Sequence, residues 1–178
     1  MIRIAKLKDI DTIADLILLA SSVLFEDILK TKNLKAQKAL LLEYLETPDT
    51  KFYYKNILVY ELDNKIVSAL VFYEANDEAK LNENMEKIVN NGYKFDIEAY
   101  PNTIYLDSLA VDSAYRGKGI SKELFLYAID HADKDLSLLV ETYKEDVEKY
   151  YERLGFKVVE RVKLFNAELD SMVYHKNN

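Results

Sequence analysis

The chain has 178 residues, 49% of them hydrophobic, and a chain of this size buries roughly 70% of its unfolded surface without needing disulfides. It has no cysteine and two histidines, His131 and His175, which excludes a thiol nucleophile, a disulfide framework and a transition-metal site of ordinary make-up. A formal net charge of -7 argues against a general nucleic-acid binder, which presents a basic face.

No apolar run approaches the length of about 18 residues that a membrane helix needs, and the N-terminus begins at once with a strand-like alternation. The expectation is a soluble, cytoplasmic protein with no membrane partner. Ile2 and Ile4 alternate with Arg3 and Ala5 as a first strand. Asp9 and Asp11 are cap candidates for a helix whose apolar face is Ile10, Ile13, Ala14, Ile17 and Leu24. A second helix, about Leu34 to Glu46, carries Leu41, Tyr44 and Leu45 and stops near Pro48. Between the two, the spacing of Phe25, Ile28 and Leu29 assigns them to no element.

Asn56 to Leu62 and Lys65 to Ala75 read as strands joined by Asp63-Asn64, a two-residue hairpin turn. From Asp77 the pattern turns polar, with Leu81, Met85, Ile88 and Val89 at helical spacing and Asn91-Gly92 as a stop. We read a helical insertion at about 77–100, which either packs over a sheet edge or forms a lid over an acceptor site.

The most informative stretch runs from Thr103 to Lys122, TIYLDSLAVDSAYRGKGISK. Ile104 to Val111 is an apolar run rich in β-formers, long enough for a buried strand. A turn leads into Arg116-Gly117-Lys118-Gly119-Ile120-Ser121, and an amphipathic helix follows with Ile120, Leu124, Tyr127, Ala128 and His131 at helical spacing. Two of the four glycines of the chain sit in this loop. A strand feeding a glycine loop at a helix N-terminus is an anion site, because first-turn N–H groups lack intrahelical partners and carry the positive end of the dipole.

A Walker loop is excluded, since Asp112 stands where its first Gly belongs and Gly119 where its Ser or Thr belongs. A dinucleotide fingerprint is excluded by Lys122, which stands where the third Gly belongs. The pattern Arg/Gln-x-x-Gly-x-Gly/Ala after an apolar-Ala-Val strand end fits Leu109-Ala110-Val111, Arg116 and Gly119, with Ser121 as a departure at the last position.

Leu136 to Glu141 is a further buried strand. Helical spacing returns with Val147, Tyr150 or Tyr151, and Leu154, and closes at Gly155. Phe156 to Leu164 and Glu168 to Tyr174 are the last strands. The order β-α-α-β-β-(α)-β-α-β-α-β-β, with a βαβ unit in its second half, gives an α/β or α+β mixed sheet, read as one domain over 1–178.

The loop from Arg116 to Ser121, behind Leu109-Ala110-Val111, resembles the acetyl-CoA loop of the GNAT superfamily of N-acetyltransferases. Tyr151-Glu152-Arg153-Leu154-Gly155-Phe156 is similar to the Y-E-x-x-G-F ending of that family's last helix. Together they cover the C-terminal half of the chain, and the N-terminal half agrees in element order. Lys144 stands where the family often has an Asn at the start of the last helix.

The resemblance implies a GNAT-like sheet whose fourth and fifth strands splay apart, leaving the backbone of Leu109, Ala110 and Val111 to pair with pantetheine. It places a pyrophosphate on the N–H groups of Gly117, Lys118, Gly119, Ile120, Ser121 and Lys122, with Arg116 and Lys118 adding charge. Acetyl-CoA is then the co-substrate, no metal is implied, and the acceptor is a primary amine of a small molecule or a protein. Tyr151 would protonate the departing thiolate, with Tyr150 a lesser rival about 100° around the helix. Asp107 and Glu98 are the carboxylates that could take the amine's proton, directly or through water. Asp107, two residues before Leu109, is expected to share its face. The alternative is a non-catalytic acyl-CoA-binding or sensor domain on the same fold. A homodimer stays open, and Tyr53, Tyr54, Tyr73, Tyr93 and Tyr100 fit an aromatic-lined site and a core equally.

Overall fold

A computed structural model of the protein describes residues 1–164 and 166–176. Among them are seven strands, β1 Ile2–Ile4, β2 Ile57–Leu62, β3 Lys65–Glu74, β4 Ile104–Val111, β5 Leu136–Glu141, β6 Lys157–Leu164 and β7 Ala167–Tyr174. They form one sheet in the order β1-β2-β3-β4-β5-β7-β6. The α-helices are α1 Ile10–Leu29, α2 Leu34–Glu46, α3 Glu78–Val89, α4 Ile120–His131 and α5 Glu145–Arg153. Asp63 and Asn64 both take positive φ, 49° and 61°, the backbone of a type I′ turn whose twist matches the strands it joins.

Two apolar layers cover the sheet. On one face Ile13, Ile17, Phe25 and Ile28 of α1 and Leu41 and Tyr44 of α2 pack on Val59, Ala69, Val71 and Ala110. On the other, Ile120, Leu124 and Phe125 of α4 pack on Leu70, Leu106, Leu138 and Met172, with Tyr150, Tyr151 and Leu154 at the α5 end against them. The segment that spacing left unassigned is the second half of α1. Ser21 takes a non-helical conformation (φ -130°, ψ 23°) that kinks the helix, and a serine one turn past Ile17 interrupts the apolar stripe that would have revealed it. Asp9 precedes α1 but makes no side-chain cap. Its carboxylate instead accepts from Arg3 Nη1 at 2.7 Å and from the Lys6 N–H at 2.8 Å. Burial opposes its charge, but these bonds outweigh it and hold its pKa below the usual aspartate range.

Helix α3, in the segment read from sequence as an insertion, ends on Asn90, in the left-handed conformation with φ 46°, one residue before the expected stop. Far from lying loosely over an edge, it enters the core. Met85 is fully buried in the α1–α2 layer, and Tyr44 Oη donates to its carbonyl at 3.2 Å. Its first residue, Glu78, is fully buried as well.

Candidate active site

The site begins where β4 changes its alternation. Leu70 opposes Leu109 while Phe72 opposes Leu106, so β4 carries one extra residue, at Asp107-Ser108, against Val71. A bulge of this kind flips the side chains beyond it to the other face. Leu109 therefore joins Leu106 on the α4 face. Asp107 stays on the α1–α3 face, where its Oδ2 lies 3.3 Å from Tyr73 Oη and its Oδ1 accepts from Ser108 Oγ at 2.5 Å. The expectation that Asp107 shares a face with Leu109 is thus corrected by the extra residue between them.

β4 and β5 pair in parallel only through Ile104 with Leu136 and Tyr105 with Ser137. Beyond that point the strands part, and the β5-facing backbone of Leu109, Ala110 and Val111 is left without a strand partner. A cavity of about 320 Å³ opens there. Leu109, Ala110, Val111, Arg116, Gly117, Gly119, Ile120 and Ser121 all line it. Lys118 and Lys122 do not: Lys118 Nζ lies 4.8 Å over the Tyr115 ring, and Lys122 is exposed in the first turn of α4. Leu19 and Ala20 of α1 form a wall of the same cavity, which nothing in the local sequence signals.

Gly117 and Gly119 take φ of 75° and 81°, a left-handed backbone that costs other residues strain. A Cβ at either position would meet nothing within 4 Å, so conformation rather than crowding demands glycine. Gly119 is the N-cap of α4, which leaves the first-turn N–H groups of that helix free of intrahelical partners. Arg116 is exposed, and its Nε donates to the Val111 carbonyl at 3.3 Å.

Tyr151 sits on the α4 face. Its ring lies 5.2 Å from that of Phe125 and 6.0 Å from that of Phe156. Burial pushes its phenol up to about 12. The turn beneath it is closed by two bonds, from the Gly155 N–H to Glu152 O at 2.9 Å and from the Phe156 N–H to Tyr151 O at 3.1 Å. This is a Schellman motif with Gly155 at φ 100°. The neighbouring Tyr150 hydroxyl is buried with no partner among the described residues. Lys144, at the N-cap of α5, forms an ion pair with Glu141.

On the opposite face lies a buried charged network with two members that sequence reasoning missed, Lys51 and Glu78. Lys51 Nζ contacts Glu78 Oε1 at 2.8 Å and Glu98 Oε1 at 3.1 Å. Tyr73 Oη donates to Glu78 Oε1 at 3.0 Å, and Tyr105 Oη to Glu98 Oε2 at 3.3 Å. Glu98 and Asp107, proposed from sequence as separate options, are brought into one cluster. Burial first, then Asp107 and Glu78, push the Glu98 carboxyl up to about 7 against the opposing pull of Lys51. Burial works against the charge of Lys51, but Glu98, Asp107 and Glu78 together raise its pKa above the ordinary lysine value. Both buried phenols, Tyr73 and Tyr105, are held protonated by desolvation and by the same carboxylates.

The candidate site thus combines parted central strands of a mixed sheet, a glycine loop at a helix N-terminus and a buried carboxylate cluster. The model of the Acetyltransferase (GNAT) family matches residues 24–156, and the chain belongs to that family. A solved acetyltransferase is 26% identical, with 98% of each chain covered and a TM-score of 0.84. An N-acetyltransferase from Staphylococcus aureus Mu50 is 23% identical over 97% of this chain and 99% of its own, with a TM-score of 0.82. The yncA protein of Salmonella typhimurium, solved with its cofactor acetyl-CoA, shares the fold at 17% identity and a TM-score of 0.58, with 100% of this chain and 94% of its own covered. No curated protein matches this chain. Transfer of acetyl groups from acetyl-CoA is general in the family. No helix among the described residues is long and apolar enough to cross a membrane.

Proposed function

We propose that the chain is an N-acetyltransferase that moves the acetyl group of acetyl-CoA directly to a primary amine of a small molecule or protein. The observation behind it is the parting of β4 from β5 directly beside the glycine loop. The backbone groups of Leu109 and Val111 on the β5 side, which have no strand partner, suit the amides of pantetheine, as an added strand would. The N–H groups from Gly117 to Lys122 suit a pyrophosphate, with Arg116 lining the cavity and Lys118 close by. When bound, acetyl-CoA supplies an activated acyl group as a thioester.

The protein's own groups handle the protons. A lysine-like ammonium with a pKa of about 10.4 must lose a proton before its nitrogen can attack, at a cost on the order of 4–5 kcal/mol at pH 7. Asp107 and Glu98 accept that proton, and a carboxyl near 7 is better matched to the task than an ordinary glutamate. As the new carbon–nitrogen bond forms and the carbon–sulfur bond breaks, Tyr151 Oη donates its proton at the sulfur.

Purified protein with acetyl-CoA and a panel of aliphatic, aromatic and peptide amines should release thiol only when an amine is present, with an acetylated product visible by mass spectrometry. Tight binding of acetyl-CoA without transfer to any amine would instead define an acyl-CoA sensor.

A further inference from the structure

Lys51 lies in the segment between α2 and β2 with 2% of its side chain exposed. Its ammonium sits 5.4 Å from the Tyr73 ring centroid and 5.9 Å from that of Phe95. A buried ammonium persists only if its environment compensates the lost hydration. Here the compensation is Glu78, delivered by the first turn of α3, together with Glu98.

Glu78 does more than neutralise Lys51. Both of its oxygens accept from the Glu98 N–H at 3.1 Å, and Oε2 accepts from the Ala99 N–H at 2.9 Å. The backbone that carries Glu98 is therefore fixed by α3. Tyr73 Oη bridges Glu78 and Asp107, so contacts run unbroken from the β4 bulge through Glu78 and Lys51 to Glu98.

Three carboxylates share one ammonium in this cluster, and like charges so placed do not all ionise together. Glu78 is fully buried, whereas 19% of the Glu98 side chain reaches solvent. A proton can therefore enter and leave through Glu98, and through the half-buried Asp107, but not through Glu78.

We infer that Lys51, anchored by Glu78 of α3, is a positioning residue that holds Glu98, and through Glu78 and Tyr73 also Asp107, as one proton-accepting pair for the acceptor amine; this rests on the acetyl-transfer function proposed above. The acceptor ammonium gives one proton to the pair, its nitrogen keeps the electron pair used in attack, and the proton returns to water through the open side of Glu98. The groups facing Glu98 are Lys51 from the α2–β2 segment, Glu78 from α3, Tyr73 from β3, Tyr105 and Asp107 from β4, and Tyr93 from the α3–β4 segment.

The test combines carboxyl 13C NMR titration of Glu98, assigned through Glu98→Gln, with kcat/KM against pH. In the parent, Glu98 should titrate near 7, and kcat/KM should rise through the same pH. Lys51→Met removes the attracting charge and should move both midpoints up by about one unit or more. Glu78→Gln removes a like charge and should move both down, and it keeps the inference testable if Lys51→Met does not fold. Lys51→Arg, which keeps the charge, should restore a midpoint close to the parent's. A purely structural lysine would lower stability when replaced and leave the kcat/KM midpoint unmoved in Lys51→Met and Glu78→Gln.

Titration of Glu98 near 4.3 in the parent, the ordinary glutamate value, overturns the inference, as do midpoints unmoved in Lys51→Met and Glu78→Gln. Acetylation with an ordinary Glu98 titration sinks the inference alone and leaves the acetyl-transfer function standing. Shifted titrations with no acetylated amine support the Lys51–Glu98 coupling and refute acetyl transfer.

Discussion

Replacing Tyr151 with Phe removes one hydroxyl and keeps the ring that packs on Phe125 and Phe156, so the fold should survive with little change in melting temperature. With its phenol at about 12, the parent residue keeps its proton throughout the range in which an assay is practical. An alkyl thiol titrates near 8.5 in water, so full proton transfer to a solvated thiolate would be uphill by about 3.5 units, or roughly 5 kcal/mol. A thiolate forming beside the same buried ring loses hydration too, which narrows that gap and makes a donated proton more valuable than in water. General acids of this kind contribute about 10²–10⁴-fold, equivalent to about 3–5.5 kcal/mol of barrier. We therefore expect kcat to fall by about 10²–10⁴-fold in Tyr151→Phe, while acetyl-CoA affinity, measured calorimetrically, changes little. Thiol release at saturating acetyl-CoA and amine is the assay, with Tyr150→Phe alongside. The Tyr150 hydroxyl is buried without a partner among the described residues, and an unsatisfied buried hydroxyl costs about 1–3 kcal/mol. Tyr150→Phe should thus gain stability and keep its turnover. Parental turnover in Tyr151→Phe would refute the acid assignment, and a large loss in Tyr150→Phe would transfer it to that residue.

Acetyl-CoA at about a hundred times its Kd should stabilise the fold by about 2.7 kcal/mol, read as a rise in Tm. Gly119→Glu should abolish the rise by placing a negative charge at the α4 N-cap, and a variant that keeps the full rise would remove the loop from the site. The raised carboxyl of Glu98 also predicts the pH dependence of stability. The folded state binds that proton more tightly than the unfolded chain, so its contribution is fully present below about 4.3 and is lost as pH rises through about 7. Chemical denaturation should show unfolding free energy declining across that window in the parent, and an equal decline in Glu98→Gln would contradict it. Carboxylates with depressed pKa, such as Asp9 and Asp135, act with the opposite sign and below this window.

Local chemistry made the strand–loop–helix stretch readable. A largely apolar run rich in β-formers, two glycines forced into left-handed backbone and an amphipathic helix occupy adjacent positions, and β4 and α4 appear where that pattern puts them. The residues that sequence missed depend on distant partners. The bulge at Asp107-Ser108 exists only relative to the register of β3. Leu19 and Ala20 reach the cavity because α1 crosses the sheet beside the loop. Lys51 and Glu78 look in sequence like ordinary solvated charges, and they are tolerable in the core because they pair with each other and, for Lys51, with Glu98. No periodicity records such a pairing.

The β4 bulge would also let one strand serve two sides of the proposed reaction. Without the extra residue, Asp107 and Leu109 would point the same way and compete for the space on the α1–α3 face. With it, Leu109 turns to the α4 face and the backbone after the bulge edges the cavity, while Asp107 keeps the face covered by α1, α2 and α3. Tyr151 packs on the α4 face and the carboxylate pair lies on the other, so the proposed acid and base flank the parting of β4 and β5 from opposite sides of the sheet. An acceptor amine that meets the base first must therefore approach from the α1–α3 side. The buried α3 then belongs to the machinery through Glu78, and removing it would leave Lys51 without its closest counter-charge. A deletion of the insertion should for that reason fail to fold, whereas single changes on the exposed side of α3 should leave both binding and turnover intact.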